Sequence, residues 1–226
     1  MGIWRYPVKS MAGENVATAD VSWHGVGGDR RWAFIRAGRE RSGFPWLTMR
    51  EHPDMCRYRP YFADADVGDT ATRVLSPTGD EFDVLDPLLA AELGDGVRVI
   101  KQDVGVFDTS PLSIITVQTV EALQRSVALD LSLRRFRPNL VIDAPHEGDF
   151  AEDTWVGRTV SIGRLRVRVD RRNKRCMMVN VDPVTSERDP RVLKAIARER
   201  QVQLGVYAST GAPAEVSVGD VVSLEP

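Results

Sequence analysis

Leu165, Val167 and Val169 alternate with Arg164, Arg166, Arg168 and Asp170, the period of two that a strand with one buried face imposes. The alternation then reads as breaking into a basic turn, Arg171, Arg172, Asn173, Lys174 and Arg175, which delivers Cys176. The rhythm lengthens elsewhere in the second half. Val117, Val120, Leu123 and Val127 recur at helical spacing behind an apolar run, Ser113 to Val117, so a strand is expected to feed a helix. Val192, Leu193, Ile196 and Ala197 form one face of another helix, capped by Asp189, opened by Pro190 and ending near Gln201. Leu204–Ser209 and Val216–Leu224 close the chain as strands, with Gly219-Asp220 as a turn.

The first half reads as short strands. Ile3 to Tyr6 is strand-forming until Pro7, which cannot donate to a sheet ladder. Val16 to Val26 is strand then turn, and the glycine-rich bend Gly25 to Arg30 leads into Arg31–Ala37. From Leu47 to Ile100 short strands are punctuated by Thr78-Gly79-Asp80 and Gly94-Asp95-Gly96, with a helical turn over Asp86–Leu93. Repeated short strands at this spacing predict a barrel or sandwich. The whole is a mainly β, mixed α+β chain, and the change of rhythm near Lys101 to Phe107 divides it into residues 1–102 and 103–226.

Composition narrows the function classes. Of 226 residues 42% are apolar and 27% charged, with a formal net charge of -2. Nothing here attracts nucleic acid or an anionic membrane globally, so an anion site has to come from local clustering. No apolar run approaches the roughly 20 residues of a membrane span, and the N-terminus lacks the layout of a secretory signal. A cytoplasmic protein is expected. Two cysteines cannot build a tetrahedral thiolate site or an iron–sulfur cluster within one chain. His24, His52 and His146 stand in no metal-ligand spacing.

Five stretches carry candidate chemistry. Cys176, among the cations Arg171, Arg172, Lys174 and Arg175, reads either as an inert core thiol or as one held as thiolate, a nucleophile or soft-metal ligand. Lys9 and Ser10 suit a phosphate or a ring carbonyl, or simply a solvated strand end. Arg30 closes a bend that is not a dinucleotide fingerprint, because a strand follows it. Thr116 and Thr119 stand at a helix start, where they cap it or border an anion site. Arg134-Arg135-Phe136-Arg137-Pro138-Asn139 is either a solvated bend or a set of guanidinium groups suited to bidentate phosphate recognition. Glu152 reads as structural and Trp155 as a packing anchor. Asp64, Asp66, Asp69 and Asp80 form a solvated face rather than a calcium loop.

Tyr6-Pro7-Val8-Lys9-Ser10, Gly28-Asp29-Arg30 with Trp32, Arg135-Phe136-Arg137-Pro138-Asn139, Phe150 to Trp155, and Arg175-Cys176 followed by Val181-Asp182-Pro183 together resemble the MOSC family. Gly205-Val206-Tyr207 and Val218-Gly219-Asp220 fit its ending. The resemblance implies an N-terminal β-barrel-like domain over residues 1–102 and a β-barrel MOSC domain over 103–226. It implies that Lys9, Ser10, Arg30, Arg137 and Asn139 hold the pterin and phosphate of a molybdenum cofactor, with Thr116 a further ligand. Cys176 would be both catalytic residue and molybdenum ligand. Asn173 and Lys174 depart from the small or hydroxylated residues that several relatives place before Arg-Cys.

The nearest characterised branch implies reduction of a small N-hydroxylated substrate, with electrons from a separate protein carrying flavin, haem or an iron–sulfur cluster. Neither nucleic acid nor membrane is an implied partner. A carrier of cofactor or sulfur, without turnover of its own, is the alternative. A pyridoxal-phosphate site has no support in this chain, and a cofactor-free interaction module would make Cys176 core and the arginines surface.

Overall fold

A computed structural model of the chain describes residues 2–63 and 71–225, so Asp64, Asp66 and Asp69 lie outside the described residues. In chain order the strands and helices of the first half are β1 Gly2–Arg5, β2 Glu14–Val16, β3 Thr18–Ser22, β4 Gly25–Val26, β5 Trp32–Ile35, β6 Arg59–Phe62, β7 Thr72–Leu75, β8 Glu81–Asp83, α1 Pro87–Leu93 and β9 Arg98–Lys101. The second half contributes β10 Leu112–Thr116, α2 Val117–Val127, β11 Leu140–Ile142, β12 Thr159–Ile162, β13 Leu165–Lys174, α3 Pro190–Arg200, β14 Gln203–Ala212, β15 Ala214–Ser217 and β16 Val222–Leu224. The fold is mainly β with mixed α+β character, as its rhythm predicts.

Eight strands form one sheet in the order β16-β12-β13-β14-β10-β11-β1-β2. Among the described residues no pairing joins its two edges, so the sheet is open where a closed barrel was expected. The N-terminal strand is woven into this sheet: β1 pairs antiparallel with β11, Ile3 facing Leu140, and with β2 on its other side. β3 likewise pairs with β15, Val21 facing Ala214. The ends of the chain therefore meet.

The sheet is covered on both faces, and β10 and β11 are buried along their whole length, the polar Ser113 and Thr116 included. One face, with Leu112, Ile114, Leu140, Val167, Val169 and Val206, packs against Val21, Val26 and Val216 of the small β15-β3-β4 sheet. On the other face Ile115, Val141 and Leu204 pack against Val120 and Leu123 of α2 and Val192 and Ile196 of α3. A separate core in the first half gathers Trp32, Phe34, Met55, Val74 and Leu89.

The helix ends behave as their residue types dictate. Asp189 caps α3 by accepting from Arg191 N–H at 2.9 Å, and Gln201 ends it in a left-handed conformation. No helix among the described residues is long and apolar enough to cross a membrane.

One expectation fails instructively. The basic run after Val169 is not a turn, because β13 continues for ten residues to Lys174. Register shifts between Val169 and Arg171 and between Arg172 and Lys174 break the alternation. Bulges of this kind re-aim side chains without ending a strand. Arg171 and Lys174 are exposed as a result, whereas Asn173 and Arg175 turn inward.

Candidate functional site

Lys9, Ser10, Arg30, Arg137, Asn139 and Cys176 converge on one cavity of about 330 Å³. Lys9 and Ser10 follow β1, Arg30 follows β4, Arg137 and Asn139 precede β11, and Cys176 follows β13. The sheet order brings β1 and β11 side by side, so these distant segments open onto the same space. Seven side chains lining it are cationic, Lys9, Arg30, Arg50, Arg135, Arg137, Lys174 and Arg175, against one lining carboxylate, Asp108. A chain of net charge -2 has thus concentrated positive charge in one place.

Several of these cations are already committed. Lys9 donates to Val106 O at 3.0 Å and pairs with Asp108. Burial pulls its ammonium below the usual lysine range, against the opposing pull of Asp108. Burial acts to raise the Asp108 carboxyl, but the charges of Lys9 and Arg50 outweigh it and hold the group below its ordinary value. Arg30 pairs with buried Asp29 and donates to Arg137 O at 3.2 Å. Arg135 pairs with Asp182 at 2.7 Å.

Others keep capacity in reserve. Arg137 spends Nη1 on Met11 O at 2.5 Å, but its Nη2, shielded from solvent, has no partner among the described residues. Arg175 donates to Leu204 O and Phe136 O, both at 2.8 Å, and its Nη2 is likewise unpartnered. Burial pushes both guanidinium groups down to about 10, with Arg30's charge adding to the effect at Arg137. The buried Ser10 hydroxyl is also unpartnered. Arg135 Nε is a fourth such atom; buried donors without acceptors are rare in folded proteins, and four on residues that line one basic cavity are a set that an anionic ligand could satisfy. Gly205 helps to keep this space open: at φ +70 it has no side chain, and a Cβ there would lie 3.2 Å from Arg175 Nη2 and 2.7 Å from Ile114 O.

The backbone carries a second sign of specialisation. Ser10, Arg30 and Arg137 adopt φ of 68, 52 and 49. Non-glycine residues in this region are uncommon, and such conformations cluster where a site requires a particular direction of approach.

Cys176 is partly exposed, and the cation beside its Sγ is not one of its sequence neighbours. Arg50 Nη2 stands 3.5 Å from the sulfur and 3.6 Å from Asp108 Oδ2. Of the cations read as surrounding the thiol, Arg172 instead pairs with Asp153 at 3.2 Å and Arg175 is occupied by backbone carbonyls. Cys56 is buried, its thiol pushed up to about 11 by desolvation, and it donates to Asp182 O at 3.4 Å.

Thr116 is not part of the cavity lining. Its hydroxyl donates to Glu152 Oε2 at 2.8 Å and accepts from Thr119 N–H at 3.2 Å, capping α2. The cap and the buried carboxylate both draw on that hydroxyl, which is turned away from the cavity lining. Asn139 lines the cavity, yet its amide also knits strands: Oδ1 accepts from Ser113 N–H at 3.2 Å and Nδ2 donates to Trp4 O at 3.3 Å.

Arg50, Asp108 and Tyr207 are among the lining residues to which the sequence alone assigned no role. The partners of Arg50 and Asp108, Cys176 and Lys9, lie 126 and 99 positions away in the chain, beyond the reach of any local pattern. Among the described residues no cluster of three or more histidine, cysteine or acidic side chains could hold a metal ion unaided. A metal here would have to arrive with ligands of its own.

Comparison with known proteins agrees with this geometry. The family model described as "MOSC domain" matches residues 101–223, and "MOSC N-terminal beta barrel domain" matches residues 1–86. A molybdenum cofactor sulfurase of Drosophila willistoni is 24% identical over 243 residues, covering 89% of this chain and 30% of that protein. Another from Caenorhabditis briggsae is 23% identical, covering 92% of this chain and 33% of its own length. The chain thus spans about a third of the curated relatives it matches. The crystal structure of the YuaD protein from Bacillus subtilis superposes with a TM-score of 0.55 at 11% identity, covering 99% of this chain and 92% of that one, and so shares the fold.

Proposed function

From the premise that the chain belongs to the MOSC domain family, we propose that its cavity holds the pyranopterin molybdenum cofactor and that the protein is an oxidoreductase. In this reading it reduces small N-hydroxylated compounds with electrons from a separate donor protein bearing flavin, haem or an iron–sulfur cluster. The observation that carries the proposal is the meeting of seven cations, four unpartnered buried donors on lining residues and one partly exposed thiol around a single cavity.

The donor set fits the group. Arg137 and Arg175 each have a free Nη2 for a phosphate oxygen, and the Ser10 hydroxyl adds a neutral donor. Lys9, held by Asp108, keeps a positive charge on the wall without swinging into the cavity. Cys176 offers a soft sulfur ligand, with Arg50 Nη2 3.5 Å from it. When bound, the cofactor supplies two-electron redox chemistry at molybdenum, while the protein binds, orients and excludes competing reactions. Phe107, Phe136, Met178 and Val179 provide the apolar part of the wall.

A second reading has an observation of its own. The curated relatives named above are called molybdenum cofactor sulfurases, and a partly exposed cysteine in a basic cavity also suits a carrier that holds cofactor or sulfur for delivery. Steady-state turnover separates the two. Protein purified from a cofactor-competent host should turn over benzamidoxime-like substrates repeatedly with a chemical or protein electron donor. Full molybdenum and pterin content without multiple turnover would favour the carrier.

A further inference from the structure

Arg30 and Arg137 belong to segments far apart in the chain, yet both guanidinium groups lie over the ring of Tyr6, 4.8 and 4.2 Å from its centroid. Tyr6 is 1% exposed. Its backbone is pinned at the same place: its N–H donates to Asp29 Oδ1 at 2.7 Å and its carbonyl accepts from Arg30 N–H at 2.7 Å. Gly13 abuts the ring so closely that a Cβ there would lie 2.4 Å from Tyr6 Cε1. The phenol hydroxyl, by contrast, has no partner among the described residues. The polar end of Tyr6 is idle and its ring is in use.

Two guanidinium groups brought together repel, and a protein has two ways to hold them. A carboxylate between them would fix the geometry but neutralise the charge. An aromatic face attracts each cation through its quadrupole and leaves the charge available. Asp29 pairs with Arg30, whereas Arg137 has no carboxylate partner among the described residues and is steadied by Met11 O and by the Tyr6 ring. The left-handed backbone at both arginines, φ 52 and 49, adds that neither side chain leaves from a relaxed conformation.

We propose that Tyr6 is the positioning residue of the cavity, its ring serving as the shared platform that aims Arg30 and Arg137 at one anionic group of the ligand. This rests on the reading of the cavity as the site of an anionic cofactor. The ring is required and the hydroxyl is not.

The test uses the full chain, purified from a cofactor-competent host, with bound pterin measured per folded protein, and inorganic phosphate binding measured by calorimetry on cofactor-stripped protein. Tyr6→Leu should weaken phosphate binding about tenfold, the order expected from losing two desolvated cation–ring contacts, and should lower pterin content. Tyr6→Phe should match wild type in both. In an Arg137→Ala background Tyr6→Leu should have much less further effect, because its action passes through that side chain; a merely structural role would give the same loss in both backgrounds. If Tyr6→Leu does not fold, Gly13→Ala displaces the ring with Tyr6 retained and should weaken phosphate binding in the same direction. Wild-type phosphate affinity in folded Tyr6→Leu or Gly13→Ala, or strict additivity with Arg137→Ala, overturns the inference. Wild-type protein that holds neither pterin nor phosphate would instead overturn the cofactor reading, and this inference with it.

Discussion

Arg137→Ala removes a charge that the unliganded protein holds at a loss. Burial, with Arg30's charge beside it, pushes the guanidinium from an ordinary 12.5 down to about 10. At about 1.4 kcal/mol per unit, keeping it ionised costs on the order of 3 kcal/mol. The bond to Met11 O and the Tyr6 ring return much of that, since a hydrogen bond from a charged group contributes about 1.5–3 kcal/mol. The opposing effects nearly cancel, so the alanine variant should unfold in denaturant within about 1 kcal/mol of the unliganded wild type. Anion binding is different, because Nη2 is free to make a new charge-assisted bond of the same size. Phosphate affinity should therefore fall roughly ten- to a hundredfold, and pterin content with it. Arg137→Lys, which keeps the charge and loses the planar fork, should recover only part. Calorimetric titration with phosphate and denaturant unfolding of the same preparations read the two quantities separately. A loss of several kcal/mol in stability with phosphate affinity unchanged would show Arg137 to be scaffold.

Alkylation should reach Cys176 well before Cys56, because Cys56 is buried with its thiol raised to about 11, and bound cofactor should protect Cys176 alone; peptide mapping after brief iodoacetamide treatment decides, and equal labelling would contradict the assignment. Cys176→Ser should abolish N-hydroxylated-substrate turnover while pterin remains, since the arginines are untouched; full activity in that variant would make the thiol a bystander. Thr116→Ala should cost about 1 kcal/mol of stability as a lost helix cap and leave pterin content as in wild type, whereas pterin loss would return Thr116 to the site. Burial raises the Glu152 carboxyl above its ordinary 4.5, against hydrogen bonds from Thr119 and Thr116, so the folded state keeps its proton to higher pH than the unfolded chain. The stability this contributes is fully present below 4.5 and is lost as pH rises through the raised value. Glu152→Gln should flatten that dependence in urea unfolding at stepped pH, and an unaltered slope would refute it.

Periodicity was informative wherever one physical requirement dominated. α2 and α3 announced themselves through a single apolar face and capping residues at the right offset. β13 was legible only as far as Val169, because the bulges that carry it on to Lys174 depend on pairing with β14, which no local pattern encodes. Repeated short strands left barrel and sandwich both open for a similar reason: closure depends on which edges meet, and among the described residues no pairing joins β2 to β16. Site residues divided along the same line. Lys9, Ser10, Arg30, Arg137, Asn139 and Cys176 sit in short, recognisable segments and all reach the cavity. Thr116 was ambiguous between cap and ligand, and a buried Glu152 33 to 36 positions away settled it as a cap. Arg50 was invisible as chemistry, since its partner Cys176 lies 126 positions along the chain.

The separation between Arg50 and Cys176 points to how the cavity is held together. The first half of the chain contributes Lys9, Ser10, Arg30 and Arg50, and the second contributes Asp108, Arg137, Arg175 and Cys176. Lys9 binds Asp108, Asp108 faces Arg50, and Arg50 faces Cys176, so one polar chain crosses between the halves three times. Arg137 adds a crossing of its own to Met11 O, and Arg30 another to Arg137 O. The first of these links holds a buried ammonium, and a buried ion that loses its partner costs about 3–5 kcal/mol. The pairing of β1 with β11 brings together the segments that carry Lys9 and Ser10 on one side and Arg137 and Asn139 on the other. Beyond the pairs that Arg30, Arg135 and Lys9 make with Asp29, Asp182 and Asp108, Arg137 and Arg175 each keep an Nη2 with no partner among the described residues. An anion in the cavity would complete on the inside the same pairing that the strands impose around it, so ligand binding and the cohesion of the two halves should rise and fall together.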